Sequence, residues 1–235
     1  MRTLTKIAVH HAGGIANDPY ASSLHLTPQQ ISQYHRQRWN DYNPSMYILN
    51  ESIRWAGYNV IYDPKTRTFT QCRALGEETM AQVGHNFDTF SVCIIGNYMR
   101  DPATGRSVDP MTPEIEADIA RYLSKLIAKD YKDVVVVPGT TLNFAIARTG
   151  PHRIYQQTDC YGTSLSNKWI QDLLAEKKYP TVDAELSMKI ALLKRIVELY
   201  LQLQRLKTQL KGVIVPPPLF GGQGDHACVG FIHLK

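Results

Sequence analysis

The chain has 235 residues, 43% hydrophobic and 20% charged, and a net charge of +5. That composition supports a core of ordinary size and excludes a largely disordered chain. The positive balance favours an anionic partner, and nucleic acid, an acidic membrane surface and a bacterial cell-wall polymer satisfy it equally.

Met1–Ala8 carries two basic residues but no apolar h-region, so no signal peptide is expected and the chain is expected to be made in the cytoplasm. No apolar run is long enough to span a bilayer. Lys6–His10 is a short apolar run that stops at Gly13-Gly14, the pattern of a buried strand entering a loop. Thr27-Pro28-Gln29-Gln30 opens a helix, with Thr as cap, Pro at the first helical position and Gln at the third, running to about Trp39. A second helix is expected over Pro44–Trp55. Strands are expected at Tyr58–Tyr62 and Thr68–Cys72, joined as a hairpin through Asp63-Pro64-Lys65-Thr66. Phe90–Ile95 reads as a buried strand that encloses Cys93. Pro113–Lys129 repeats apolar residues with a helical period behind the cap Thr112. Val134–Val137 reads as a further strand and Asn167–Glu176 as a helix. Together these predict an α/β fold, a mixed central sheet flanked by helices, followed by a long C-terminal helix over Val182–Lys211 and a short Pro- and Gly-rich tail.

Two segments carry metal-ligand chemistry: Val9-His10-His11 at the end of the first strand, and His152 through Cys160. Imidazole and thiolate are the ligands that zinc selects, and a catalytic zinc uses three protein ligands plus one open position. One ligand from a strand end and two from a loop make a workable site. Either of the two adjacent histidines fits that description.

Four blocks, in order, resemble the zinc amidase family that includes small phage lysozyme-amidases and the peptidoglycan recognition proteins. They are Ile7-Ala8-Val9-His10-His11-Ala12, Trp55 through Ile61, Gly84 through Asn97, and His152 through Gly162, in which His152 and Cys160 stand eight apart with Thr158 two before the Cys. The resemblance spans roughly residues 4 to 176. It implies an N-acetylmuramoyl-L-alanine amidase that cuts the amide between N-acetylmuramic acid and L-alanine in bacterial peptidoglycan. It implies Zn2+ as cofactor, held by His10, His152 and Cys160. It also implies Tyr58 and Thr158 as catalytic groups, and His11, His85 and Asn86 against substrate. His10 takes the family's ligand position, and strand alternation turns His11 to the opposite face. The implied domains are a catalytic domain over 1–178, an amphipathic helix over 179–212 and a tail over 213–235, in an endolysin-like enzyme acting on the cell wall or periplasm. A non-catalytic peptidoglycan-binding module, or a virion or tail component of the same fold, is the alternative.

This sequence departs from the family pattern at several points. Ala81 stands where relatives carry a His. Tyr161 stands where they carry a Pro after the Cys, which is expected to loosen the loop. Residues 40–54 and 138–150 read as insertions. Beyond the blocks, Leu192, Ile196, Leu199, Leu203, Leu206 and Leu210 form a heptad seam on the long helix, opposite a basic face. Packing on the body, self-association and contact with an anionic membrane surface are its three readings. His226, Cys228 and His233 could form a second metal cluster, although packing of the apolar tail explains that segment better. His25 and His35 are expected at the surface. No nucleic-acid partner is expected.

Overall fold

The structure is a computed structural model that describes residues 2–15, 17–175 and 182–212. The chain divides into two compact units, Met1–Glu185 and Leu186–Lys235. The first contains, in order, β1 (Thr3–Leu4), β2 (Lys6–His11), α1 (Pro28–Arg38), β3 (Val60–Asp63), β4 (Thr68–Gln71), β5 (Thr89–Ile94), α2 (Pro113–Ile127), β6 (Thr141–Leu142), β7 (Thr149–Pro151) and α3 (Trp169–Ala175).

Five strands form one sheet in the order β4-β3-β5-β2-β7, and β1 pairs with β6 in a separate two-stranded ribbon. Within the five, β3, β5, β2 and β7 are mutually parallel and only β4 is antiparallel. The sheet is therefore mixed and covered by helices, as the alternation of strand and helix signals predicts. Strands buried on both faces lose the polar alternation of an open sheet, which is why β2 and β5 read as continuous apolar runs.

The two faces differ in bulk. One carries Ile7, Val9, Tyr62, Phe90, Val92 and Ile94 against the apolar sides of α2 and α3. The other is lighter: Ile61, Cys93 and Ile95 meet Ile31 of α1 and Ile53. β2 pairs His10 with Cys93 of β5, so His10 belongs to this second face and looks toward α1.

Helix ends follow the sequence signals. Thr27 accepts from the Gln30 amide while the Gln30 side chain returns to the Thr27 amide, a complete capping box with Pro28 inside it. Thr112 caps α2 through the Ile115 amide.

Two expectations are corrected. Pro44–Trp55 forms turns rather than a helix. Asn43 is left-handed there, Ser45 is buried with its hydroxyl on Glu77, and Asn50 ties down the Ser52 amide, so local side-chain bonds replace a helical ladder. Val134–Val137 contributes only an isolated bridge, Val136 to Leu75, because the Val135 amide is taken by the Gln71 side chain. Residues 138–150 supply β6 and the start of the sheet-edge strand β7.

The described residues of the second unit belong to the helix α4 (Val182–Gly212). Its seam residues Leu192, Ile196, Leu199, Leu203 and Leu206 are exposed. No helix among the described residues is long and apolar enough to cross a membrane. The suggested His226, Cys228 and His233 cluster and the tail lie outside the described residues.

Candidate metal centre

Sheet register builds the site. β7 runs parallel to β2 with Pro151 opposite Val9. The residues that follow this pair, His152 just past the end of β7 and His10 on β2, therefore emerge side by side, and their ring centroids are 4.6 Å apart. The chain then loops from His152 and returns, and the Arg153 amide donates to the Cys160 carbonyl to close the loop. That closure brings Cys160 Sγ to 3.7 Å from His10 Nδ1. The three side chains offer one imidazole nitrogen each and a sulfur, all within 4.8 Å of one another.

This donor set fits a tetrahedral zinc. Bonds of about 2.0 Å to imidazole and 2.3 Å to thiolate around a tetrahedral centre require an N···S separation of about 3.5 Å. His152 Nε2 contacts Gln156 Oε1 at 2.8 Å, which fixes the ring and leaves Nδ1 available as a ligand. His10 is 2% exposed, and its Nε2 has no hydrogen-bond partner among the described residues. A core histidine kept for packing is normally satisfied at both nitrogens, so burial of this ring is not explained by the fold alone. Burial, reinforced by the neighbouring His152 and His11 rings, holds His10 well below its ordinary pKa. Burial also lowers His152. Both shifts favour the neutral imidazole, the form that coordinates a metal.

His11 faces the other way, as strand alternation requires. Its Nδ1 accepts from the Tyr98 amide at 3.1 Å, while its own amide points at Cys160 Sγ at 3.4 Å. Burial pushes its pKa down to about 4. The side chain braces the fold behind the cluster, and the backbone touches the thiol.

Tyr58 completes the near side of the site. Its ring centroid lies 5.1 Å from that of His10. Asn59 anchors it: the Asn59 amide donates to Ser91 O, and Asn59 Oδ1 accepts from the Ser91 amide. Burial, with the Cys93 and Cys160 thiols nearby, pushes the phenol well above its usual pKa, so it is a protonated donor. Beside it lies a cavity of about 300 Å3 lined by Ile31, Tyr34, His35, Tyr58 and Cys93 among others.

Thr158 is brought into the loop through its Oγ1, which accepts from the Cys160 amide at 3.4 Å. The structure holds the other two named residues elsewhere. His85 approaches Lys6 Nζ at 3.4 Å, at the first residue of β2, four residues before His10. Asn86 Oδ1 accepts from the Gln82 amide and the Thr79 hydroxyl, closing its own loop. No hydrogen bond or ring contact joins either of them to the cluster among the described residues.

Sequence reasoning missed two residues. His35 is half-buried rather than on the surface. Its Nδ1 accepts from the Gly57 amide at 3.0 Å and its ring stacks on Trp39. Its spacing of four from Ile31 on α1 was the available signal. Gln156, which holds His152, sits at the same spacing from its partner. Tyr161 also differs from expectation. Its ring is fully buried against Trp169 and its hydroxyl donates to Ser166 O at 2.8 Å, so the loop after Cys160 is anchored instead of loosened.

Among solved structures the chain is similar to amidases, an endolysin and PGRP proteins. N-acetylmuramoyl-L-alanine amidase LysC from Clostridium intestinale matches at 19% identity over 75% of this chain and 87% of its own, with a TM-score of 0.45. The Ph2119 endolysin from a Thermus scotoductus bacteriophage matches at 15% identity over 74% and 86%, TM-score 0.46. A Drosophila PGRP-LB mutant in complex with tracheal cytotoxin matches at 11% identity over 77% and 85%, TM-score 0.44. No family model matches the chain. No curated protein matches it in sequence.

Proposed function

We propose that this chain is a zinc-dependent amidase acting on bacterial peptidoglycan, at the bond between N-acetylmuramic acid and L-alanine. The observation that carries the reading is the convergence of His10, His152 and Cys160 beside a protonated Tyr58. The four sequence blocks point to the substrate class.

In this reading His10, His152 and Cys160 would hold the metal. A zinc ion held there would supply Lewis acidity, acidifying a water and polarising the scissile carbonyl. Tyr58 presents its phenolic hydrogen to the oxygen on which charge develops, and its raised pKa keeps that hydrogen in place near neutral pH. Because Thr158 Oγ1 accepts from the Cys160 amide, its hydroxyl hydrogen remains free to donate to the same oxygen. Gln156 holds the His152 ring in its tautomer. Breaking the C–N bond yields a lactyl carboxylate and the free amine of L-alanine, which carries away the proton.

Mass spectrometry of purified peptidoglycan after digestion tests this reading. Stem peptides beginning with L-alanine are expected to be released, and chelation is expected to stop their release. Intact muropeptides together with tight binding would replace the hydrolase with a recognition module of the same fold.

A further inference from the structure

A second cavity, of about 530 Å3, opens on the outer side of α1. One wall is the stripe Gln29, Gln33 and Gln37, continued by Asn40, and the other is Glu51 and Trp55. Residues four apart share one side of a helix. At 100° per residue this stripe stands on roughly the opposite side of α1 from Ile31, Tyr34 and His35, which border the cavity at Tyr58. The two cavities are therefore separate sites on the two sides of one helix.

The chemistry of the outer cavity is neutral and polar. Arg36 pairs with Asp41 and Arg54 with Glu51, so the charges cancel locally. What remains is a row of side-chain amides, each able both to donate and to accept. Hydroxyl and acetamido groups have the same dual character, whereas an anion would need unpaired cations and an apolar ligand would need a bare apolar wall. On the second wall Trp55 is 7% exposed, with its Nε1 donor buried and without a partner among the described residues. The Arg36 guanidinium lies over the Trp55 ring at 4.2 Å. At the rim, Asn40 and Asp41 hold φ of 51° and 59°, the left-handed turn backbone that Asn and Asp tolerate.

We propose that this cavity is an accessory subsite for a neutral, hydroxyl- and acetamido-bearing saccharide, which engages the glycan part of the substrate while the peptide part lies at the metal centre. It rests on the amidase reading for the identity of the polymer, and the cavity's own chemistry supplies the saccharide class.

The test uses the full chain and a β-1,4-linked N-acetylglucosamine oligomer, titrated by calorimetry into the unaltered protein, into Cys160→Ala and into Gln33→Ala/Gln37→Ala. Both substituted glutamines are exposed and alanine favours the helix, so the double variant is expected to melt at the same temperature as the unaltered protein. Binding is expected to be equal in the unaltered protein and Cys160→Ala, and about tenfold or more weaker in the double variant. The double variant is also expected to raise KM on polymeric peptidoglycan while leaving kcat unchanged. No binding to the unaltered protein, or equal binding to the double variant, overturns the proposal. Binding with the expected pattern but no release of stem peptides would instead retain the subsite and remove the amidase reading.

Discussion

His152 stands beside His10 because β7 pairs with β2 one residue earlier, at Pro151 opposite Val9. Two candidate ligands 142 residues apart in sequence are thereby brought together by backbone register. The third, Cys160, depends on a loop closed by the Arg153 amide on the Cys160 carbonyl. Order in the sheet and closure of one loop are thus the structural requirements of the site.

If His152 is held by Gln156, replacing Gln156 with Leu removes the partner of Nε2 while leaving the ligand itself in place. Metal affinity or activity is expected to fall about 10- to 100-fold, as is usual when the hydrogen-bond partner of a ligand is lost. Competition with a zinc chelator measures it, and unchanged affinity would show that Gln156 does not orient the ring.

Tyr58→Phe separates chemistry from metal binding. The ring still fills the space near His10, but no hydrogen reaches the developing oxyanion. Zinc content and melting temperature are expected to hold, and kcat to fall about 10²- to 10³-fold. Steady-state kinetics on a soluble muramoyl peptide decides it, and an unchanged kcat would remove Tyr58 from the mechanism.

His35 gives a pH signature to stability. Burial, followed by the Arg73 and Arg38 charges, lowers its pKa from 6.5 to about 4 in the folded chain. Between these two values the unfolded chain binds a proton that the folded chain refuses, so stability falls as pH drops from about 6.5 to about 4 and is level above that window. The contribution of this one group is at most about 3 kcal/mol. Denaturant midpoints measured across that range are expected to decline less steeply in His35→Gln than in the unaltered protein. Parallel slopes would show that His35 titrates normally.

Much of this was readable from the residues. The capping box at Thr27 and the apolar runs of β2 and β5 declare themselves, because helix ends and doubly buried strands leave local patterns. Zinc chemistry restricts ligand types and so marks the two segments that hold His10-His11 and His152 to Cys160, while it is the family resemblance that implies His10 over His11. The parts that were missed depend on tertiary partners. β7 is three residues, Thr-Gly-Pro, with no strand signature, and exists because β2 offers it an edge. Pro44–Trp55 has helical spacing, but Ser45 and Asn50 divert its backbone into turns.

Tyr161 offers a further check on the loop that delivers Cys160. Tyr161→Phe keeps the buried ring and removes only the bond to Ser166 O, and is expected to cost about 1 kcal/mol of stability while leaving zinc content unchanged. Loss of zinc in this variant would mean that the hydroxyl, and not the ring, holds the loop.

The most direct test of the central claim is X-ray absorption at the zinc edge of the purified full chain, with metal content determined on the same sample. One zinc per chain is predicted, bound by two imidazole nitrogens, one sulfur and one further light atom, with the sulfur contribution absent in Cys160→Ala. A chain that purifies without zinc and takes up none, or a zinc shell lacking sulfur, would contradict it.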